Sequence, residues 1–143
     1  MAFQSLRKFE TEVVSMTSDL LHGNELVVGS LTSGGSESIL MAVKAYRDFA
    51  RKMKPHIKEP EMLIPMTAHA AFEKAAHYFG VKAIHIPVND RYEVDVEKMR
   101  EAITPNTILL VGSAPNYPQG VMDPIEALGE LAIKTGLPLH VDA

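Results

Sequence analysis

Thr32-Ser33-Gly34-Gly35-Ser36-Glu37-Ser38 sets two glycines and four hydroxyls directly before an apolar-periodic run. A turn of this kind feeding a helix leaves several backbone N–H groups unpaired. The helix dipole adds partial positive charge there, and glycine lets a ligand approach the backbone closely. The chemistry would be phosphate binding without a lysine. An ordinary helix start capped by Ser36 fits the same residues, and both readings stay open at this point.

Other groups could act on a ligand. Asp142 closes the apolar run Leu137–Asp142. An unpaired buried carboxylate is costly, so it must face a cleft or a partner. It is either aimed at a cationic ligand atom or serves as a cap. His69 lies among small neighbours, Ala68-His69-Ala70-Ala71, which leaves its ring free to pack on a flat ligand. A plain surface or core histidine is the alternative. Ser113, Asn116 and Tyr117 follow a strand expected to end at Gly112 and offer donors in a loop. Turn formation around Pro115 and Asn116 explains them equally well. No histidine has metal-ligand spacing to a carboxylate, so no metal is assigned. Ser36 lacks the Gly-x-Ser-x-Gly elbow of hydrolases.

Several elements must position these groups. Leu6, Phe9, Val13, Met16 and Leu20 recur three and four apart, the pattern of a helix with one buried stripe, closed near Gly23. Ile39, Val43, Tyr46, Ala50 and Met53 mark a second, longer helix. Met62–Pro65, Lys82–Pro87, Thr107–Val111 and Leu137–Asp142 read as strands. Between them, helices are expected from a Thr67 cap to Phe79, from an Asp95 cap to Ile103, and from an Asp123-Pro124 start to Gly136. This alternation predicts an α/β fold with a mainly parallel sheet flanked by helices. Ligands of such sheets bind beyond the carboxyl ends of the strands. The turn at Gly35, the end of the third strand and Asp142 are therefore the places to inspect.

Composition narrows the setting. The chain has 143 residues, 46% of them hydrophobic, a net charge of -4 and no cysteine. Nothing points to a nucleic-acid or anionic-membrane partner. Disulfide and thiolate chemistry are excluded. No apolar run has the length of a membrane span and no signal-peptide pattern opens the chain, so a cytoplasmic setting is expected. The chain stops just after a strand, which predicts a fragment of a longer protein with an apolar patch at Leu137, Leu139 and Val141.

The order of the features is informative. A phosphate cradle, a histidine and a strand-end aspartate are the groups pyridoxal 5'-phosphate needs for its phosphate, its ring and its pyridine nitrogen. Thr32–Ala42, Ala68–Ala75 and Leu139–Ala143 resemble the group II decarboxylase-like family of fold-type-I pyridoxal-phosphate enzymes, and within it the sphingosine-1-phosphate lyases. Lys44–Asp48, His77–Gly80, Glu93–Val96 and Gly120–Pro124 extend the resemblance.

The resemblance implies a role for each matching residue. Gly35 and Ser36 would bind the cofactor phosphate and Gly34 would shape the turn. His69 would stack on the ring and Asp142 would pair with its nitrogen, both as catalytic groups. Ser113 would lie near the cofactor. Residues 1–143 would be part of the large domain, ending before the Schiff-base lysine and the small domain. The implied reaction cleaves a phosphorylated long-chain base to a long-chain aldehyde and phosphoethanolamine, in a homodimer, with the fragment itself inactive. An amino-acid decarboxylase of glutamate, tyrosine or aromatic type is the alternative. A non-catalytic scaffold with the same fold is another. A nucleotide-binding domain fits less well, because no Gly-x-Gly-x-x-Gly run or Lys-Ser/Thr phosphate loop is present.

Overall fold

The computed structural model describes residues 3–143. The chain divides into two compact units, Met1–Ser38 and Ile39–Ala143.

The first unit is built on helix α1, Gln4–Leu20. His22 takes the left-handed conformation just past its end, with φ 56°. The His22 N–H then donates to Asp19 O at 3.1 Å and Gly23 N–H to Ser18 O at 2.8 Å. This paired arrangement satisfies two orphan carbonyls, with histidine in the position expected of Gly23. The expected stripe is present but not buried. Leu6, Phe9, Met16 and Leu20 are all more than half exposed, and no residue of α1 is buried. Residues 21–34 contribute no further helix or strand that could cover it.

Helix α2, Gly35–Met53, opens in the first unit and continues through the second. Ile39, Val43 and Ala50 form its buried face, as the spacing predicts, while Met53 stays exposed. The second unit holds a four-stranded sheet in the order β2-β1-β3-β4, every pair parallel. Its strands are β1 (Glu61–Pro65), β2 (Lys82–Ile86), β3 (Thr107–Ser113) and β4 (Leu139–Asp142). Helices α3 (Ala71–Phe79), α4 (Val96–Glu101) and α5 (Ile125–Thr135) connect them.

Strand side chains alternate between the two faces. Met62 and Ile64 of β1 pack with Ile39 and Val43 of α2 and Phe72 and Ala75 of α3. Leu63 and Leu110 point the other way, into a cluster with Met99 of α4 and Leu128 and Leu131 of α5. β1 and β3 are buried along their whole length, which is why both read as unbroken apolar runs. Each fully buried Leu or Ile contributes about 1.5–3 kcal/mol. A Cβ on Gly112 would stand 2.6 Å from Leu128 Cδ1 and 3.1 Å from Ile125 Cδ1, so a larger residue there would have to displace these α5 side chains.

Several expectations are corrected. Thr67 does not cap α3, which begins at Ala71. Asp123 does not cap α5, because its carboxylate is engaged elsewhere. β3 runs two residues past Val111, so Ser113 belongs to the strand and not to the loop. Of the anticipated patch at the last strand only Val141 is exposed. Leu137 is buried in the α4–α5 cluster and Leu139 packs against it, because α5 folds back over β3 and β4.

Candidate cofactor site

The first unit contains the glycine turn. The first backbone bond of α2 is Ser38 N–H to Gly34 O at 3.1 Å. The N–H groups of Gly35, Ser36 and Glu37 precede it and have no backbone acceptor among the described residues. Ser36 therefore lies inside the first turn and is not the cap. Glu37 folds back instead, accepting the Ser33 N–H at 2.7 Å and the Ser33 hydroxyl at 2.6 Å. These bonds hold its carboxyl below the usual carboxylate range. Glu37 thus makes only the return half of a capping box, to a residue four positions back. Thr32 Oγ1 donates to Gly34 O at 3.1 Å and lies 2.6 Å from Ser38 Oγ. The turn is thus fixed by its flanks. A Cβ on Gly34 or Gly35 would meet no heavy atom within 4 Å, so this backbone is open to a ligand.

In the second unit, the carboxyl ends of the strands gather polar groups. Ser113 and Asp142 are register partners across β3 and β4, and Ala114 N–H donates to Asp142 O at 2.7 Å. Asp142 is partly buried, and its carboxylate accepts no hydrogen bond among the described residues. Ser113 is 1% exposed and its hydroxyl has no partner among the described residues. Asp123 Oδ2 accepts the Ser113 N–H and Asp123 Oδ1 accepts the Val94 N–H, both at 2.8 Å. Burial pushes the Asp123 carboxyl up, against the pull of those two donors.

His69 follows β1 and is exposed. Its Nδ1 accepts the Ala71 N–H at 3.0 Å, so the ring itself supplies the acceptor at the start of α3. A neutral His69 then carries its proton on Nε2. Its ring meets Tyr117 edge-on, with centroids 6.5 Å apart. Behind Asp142 on the same strand face, His140 packs edge-on to Phe72 at 5.7 Å and Tyr46 at 6.3 Å. Burial pushes the His140 ring down, opposed by the Asp142 carboxylate. The structure therefore joins Ser113 to Asp142 and places His69 beyond the adjoining strand β1. Gly34, Gly35 and Ser36 form the opening of α2 in the first unit.

Two buried polar residues near these strand ends do not do what the sequence suggested. Thr67 has a buried, unpartnered hydroxyl where a helix cap was expected. Asp123 braces the end of β3. The only sequence signal for either was a polar residue beside an apolar run, and that signal equally suggests a cap.

The model of the pyridoxal-dependent decarboxylase conserved domain matches residues 5–143. The chain belongs to the pyridoxal-dependent decarboxylase family. Within this family, it is 52% identical over 141 residues to sphingosine-1-phosphate lyase 1 of Mus musculus, covering 99% of this chain and 24% of that protein. A probable L-aspartate decarboxylase of Thermococcus gammatolerans is 44% identical over 137 residues, covering 96% of this chain and 34% of that protein. The solved sphingosine-1-phosphate lyase of Burkholderia pseudomallei matches with a TM-score of 0.89 at 43% identity, over 96% of this chain and 33% of that one. The chain thus spans about a quarter of the length of the mouse relative. The α/β architecture with a parallel sheet, expected from the strand–helix alternation, is the one observed.

Proposed function

We propose that the protein is a pyridoxal-phosphate-dependent carbon–carbon lyase acting on a phosphorylated long-chain base of the sphingosine 1-phosphate type. The observation that carries the reading is the likeness to sphingosine-1-phosphate lyases along almost the whole chain. In this reading, residues 1–143 are part of the cofactor-binding large domain, and the lysine that carries the cofactor is supplied by another segment of the protein. Homodimeric assembly and a cytoplasmic setting belong to the same proposal. Among the described residues no helix is long and apolar enough to cross a membrane.

The residues present suit the cofactor. An open helix N-terminus offers N–H donors to a phosphate, at Gly35 and Ser36, with Gly34 leaving the approach clear. The Ser113 hydroxyl is buried and lacks a partner of its own. An exposed imidazole and a carboxylate without a hydrogen-bond donor complete the set.

When bound, pyridoxal phosphate supplies an electron sink conjugated to the amine-bearing carbon of the substrate. Asp142 would hold a proton on the pyridine nitrogen, since an adjacent anion favours the protonated cation. His69 would lie against the ring face and fix its tilt, its own orientation set by the Ala71 N–H. Ser113 would offer its hydroxyl to a polar edge of the cofactor. Asp123 acts only through Ser113, by fixing the backbone that carries it.

An amino-acid decarboxylase is the second reading. It is favoured by the family model and by the archaeal relative. Both reactions leave a carbanion on the same carbon, so the residues described serve either. Product analysis separates them. The full-length protein with cofactor, given a long-chain base phosphate, is expected to release equal amounts of long-chain aldehyde and phosphoethanolamine. Release of carbon dioxide from glutamate, aspartate, tyrosine or another aromatic amino acid, with no aldehyde formed, would replace the lyase reading with the decarboxylase one.

A further inference from the structure

Among the described residues, the side-chain hydroxyls that are buried without a hydrogen-bond partner are those of Thr67 and Ser113. Thr67 lies two residues past the carboxyl end of β1, and Ser113 is the last residue of the neighbouring strand β3. β1 and β3 pair in parallel, with Leu63 beside Leu110. From that pair, β1 runs on two residues to Pro65 and the turn holding Thr67, and β3 runs on three residues to Ser113. The turn is tightly defined. Met66 N–H donates to Ile86 O at 2.9 Å and Ala68 N–H to Pro65 O at 3.0 Å. Thr67 is 8% exposed, although Met66 before it and His69 after it are exposed.

A buried hydroxyl without a partner costs stability, and valine would fill the same volume without that cost. Threonine at this position is therefore unfavourable to the protein alone. It becomes favourable if a ligand supplies the missing partner. The turn also ends two residues before the ring of His69, so a ligand at that ring is within the same short segment. Thr67 is not a helix cap, which removes the local explanation for its hydroxyl.

We propose that Thr67 is a further cofactor-binding residue, its hydroxyl pairing with a polar atom of bound pyridoxal phosphate. The inference rests on the cofactor reading given above. Its test uses the full-length protein and three variants, T67V, T67S and T67A, with two readouts. The first is the melting temperature of each protein freed of cofactor. The second is the dissociation constant for pyridoxal phosphate, titrated by absorbance.

T67V is expected to melt at or above the wild-type temperature without cofactor, yet to bind the cofactor about three- to tenfold more weakly, the range of one hydrogen bond. T67S should restore wild-type affinity, and T67A should bind weakly while melting lower because of the lost methyl packing. Wild-type affinity in T67V would overturn the inference and leave the cofactor reading intact. A marked fall in the melting temperature of cofactor-free T67V would also overturn it, since the hydroxyl would then be satisfied inside the protein. Failure of the wild-type protein itself to bind pyridoxal phosphate would instead defeat the cofactor reading.

Discussion

Asp123 and Ser113 are joined twice: Asp123 Oδ2 accepts the Ser113 N–H at 2.8 Å, and the Asp123 N–H donates to Ser113 O at 2.9 Å. With Val94 N–H also donating to Oδ1, one buried carboxylate ties the end of β3 to the segment before α4. The strand end that carries Ser113 is therefore fixed from the side of α5, whatever lies at its open edge.

Removing that carboxylate should be expensive. Asp123→Ala leaves two buried N–H groups without an acceptor, at about 1–3 kcal/mol each. A loss of at least about 2 kcal/mol in denaturant unfolding is expected, and a loss within about 0.5 kcal/mol, the range of ordinary surface changes, would contradict the bracing role.

The same residue carries a pH signature. Burial raises the Asp123 carboxyl above its ordinary value in the folded state. Its contribution to stability is then full below the usual carboxylate pKa, about 3.9, and is lost as pH rises through the raised value. The wild-type melting temperature, measured relative to Asp123→Asn, should fall as pH is raised across that window. A difference that widens with pH would mean that the two N–H donors outweigh burial and hold the anion.

How far these features could be read in the sequence depended on whether their partners were local. The buried face of α2 follows from spacing alone, and Ile39, Val43 and Ala50 lie where the period puts them. Asp95 was legible as a cap because its partner, Lys98 N–H, is three residues away. Asp123 and Thr67 show the same local pattern, but the partners of Asp123 are ten and twenty-nine residues distant and Thr67 has none. Periodicity likewise identified α1 as a helix but could not reveal that its apolar stripe is left uncovered. Of the candidate site, Asp142 and His69 were singled out by chemistry and position. The extension of β3 to Ser113 depends on pairing with β4, which local sequence does not encode.

His69 should matter modestly for cofactor binding. Loss of its ring in His69→Ala is expected to weaken pyridoxal phosphate binding by about 1 kcal/mol, the scale of one aromatic contact. His69→Phe keeps a stacking surface but loses the acceptor for Ala71 N–H, so it should bind more tightly than the alanine variant. Fluorescence titration of both proteins checks this, and equal affinities for wild type and His69→Ala would refute stacking.

Asp142 should matter for turnover more than for retention. In Asp142→Asn the donors at Gly35 and Ser36 are unchanged, while the anion opposite the ring nitrogen is gone. Turnover at saturating cofactor is expected to drop by about a hundredfold, as for other losses of placed charge, with a much smaller change in cofactor affinity. Near-normal single-turnover rates would remove Asp142 from the mechanism.

The exposed stripe of α1 should promote association. Phe9 and Met16 stand on the face that Leu6 and Leu20 extend, and all four are more than half exposed. Surfaces of this kind are characteristic of contact sites. The 143-residue chain is expected to sediment faster as concentration rises and to bind a dye that reports apolar surface. Phe9→Glu combined with Met16→Glu should reduce both effects, and a wild-type chain that remains a non-binding monomer would contradict this.

Whether these residues hold pyridoxal phosphate is decided by a crystal structure of the full-length protein with the cofactor. The phosphate is expected on the N–H groups of Gly35 and Ser36, the imidazole of His69 against the ring, and an Asp142 oxygen hydrogen-bonded to the pyridine nitrogen. A cofactor bound with its ring nitrogen facing solvent, or facing a carboxylate other than Asp142, would contradict this.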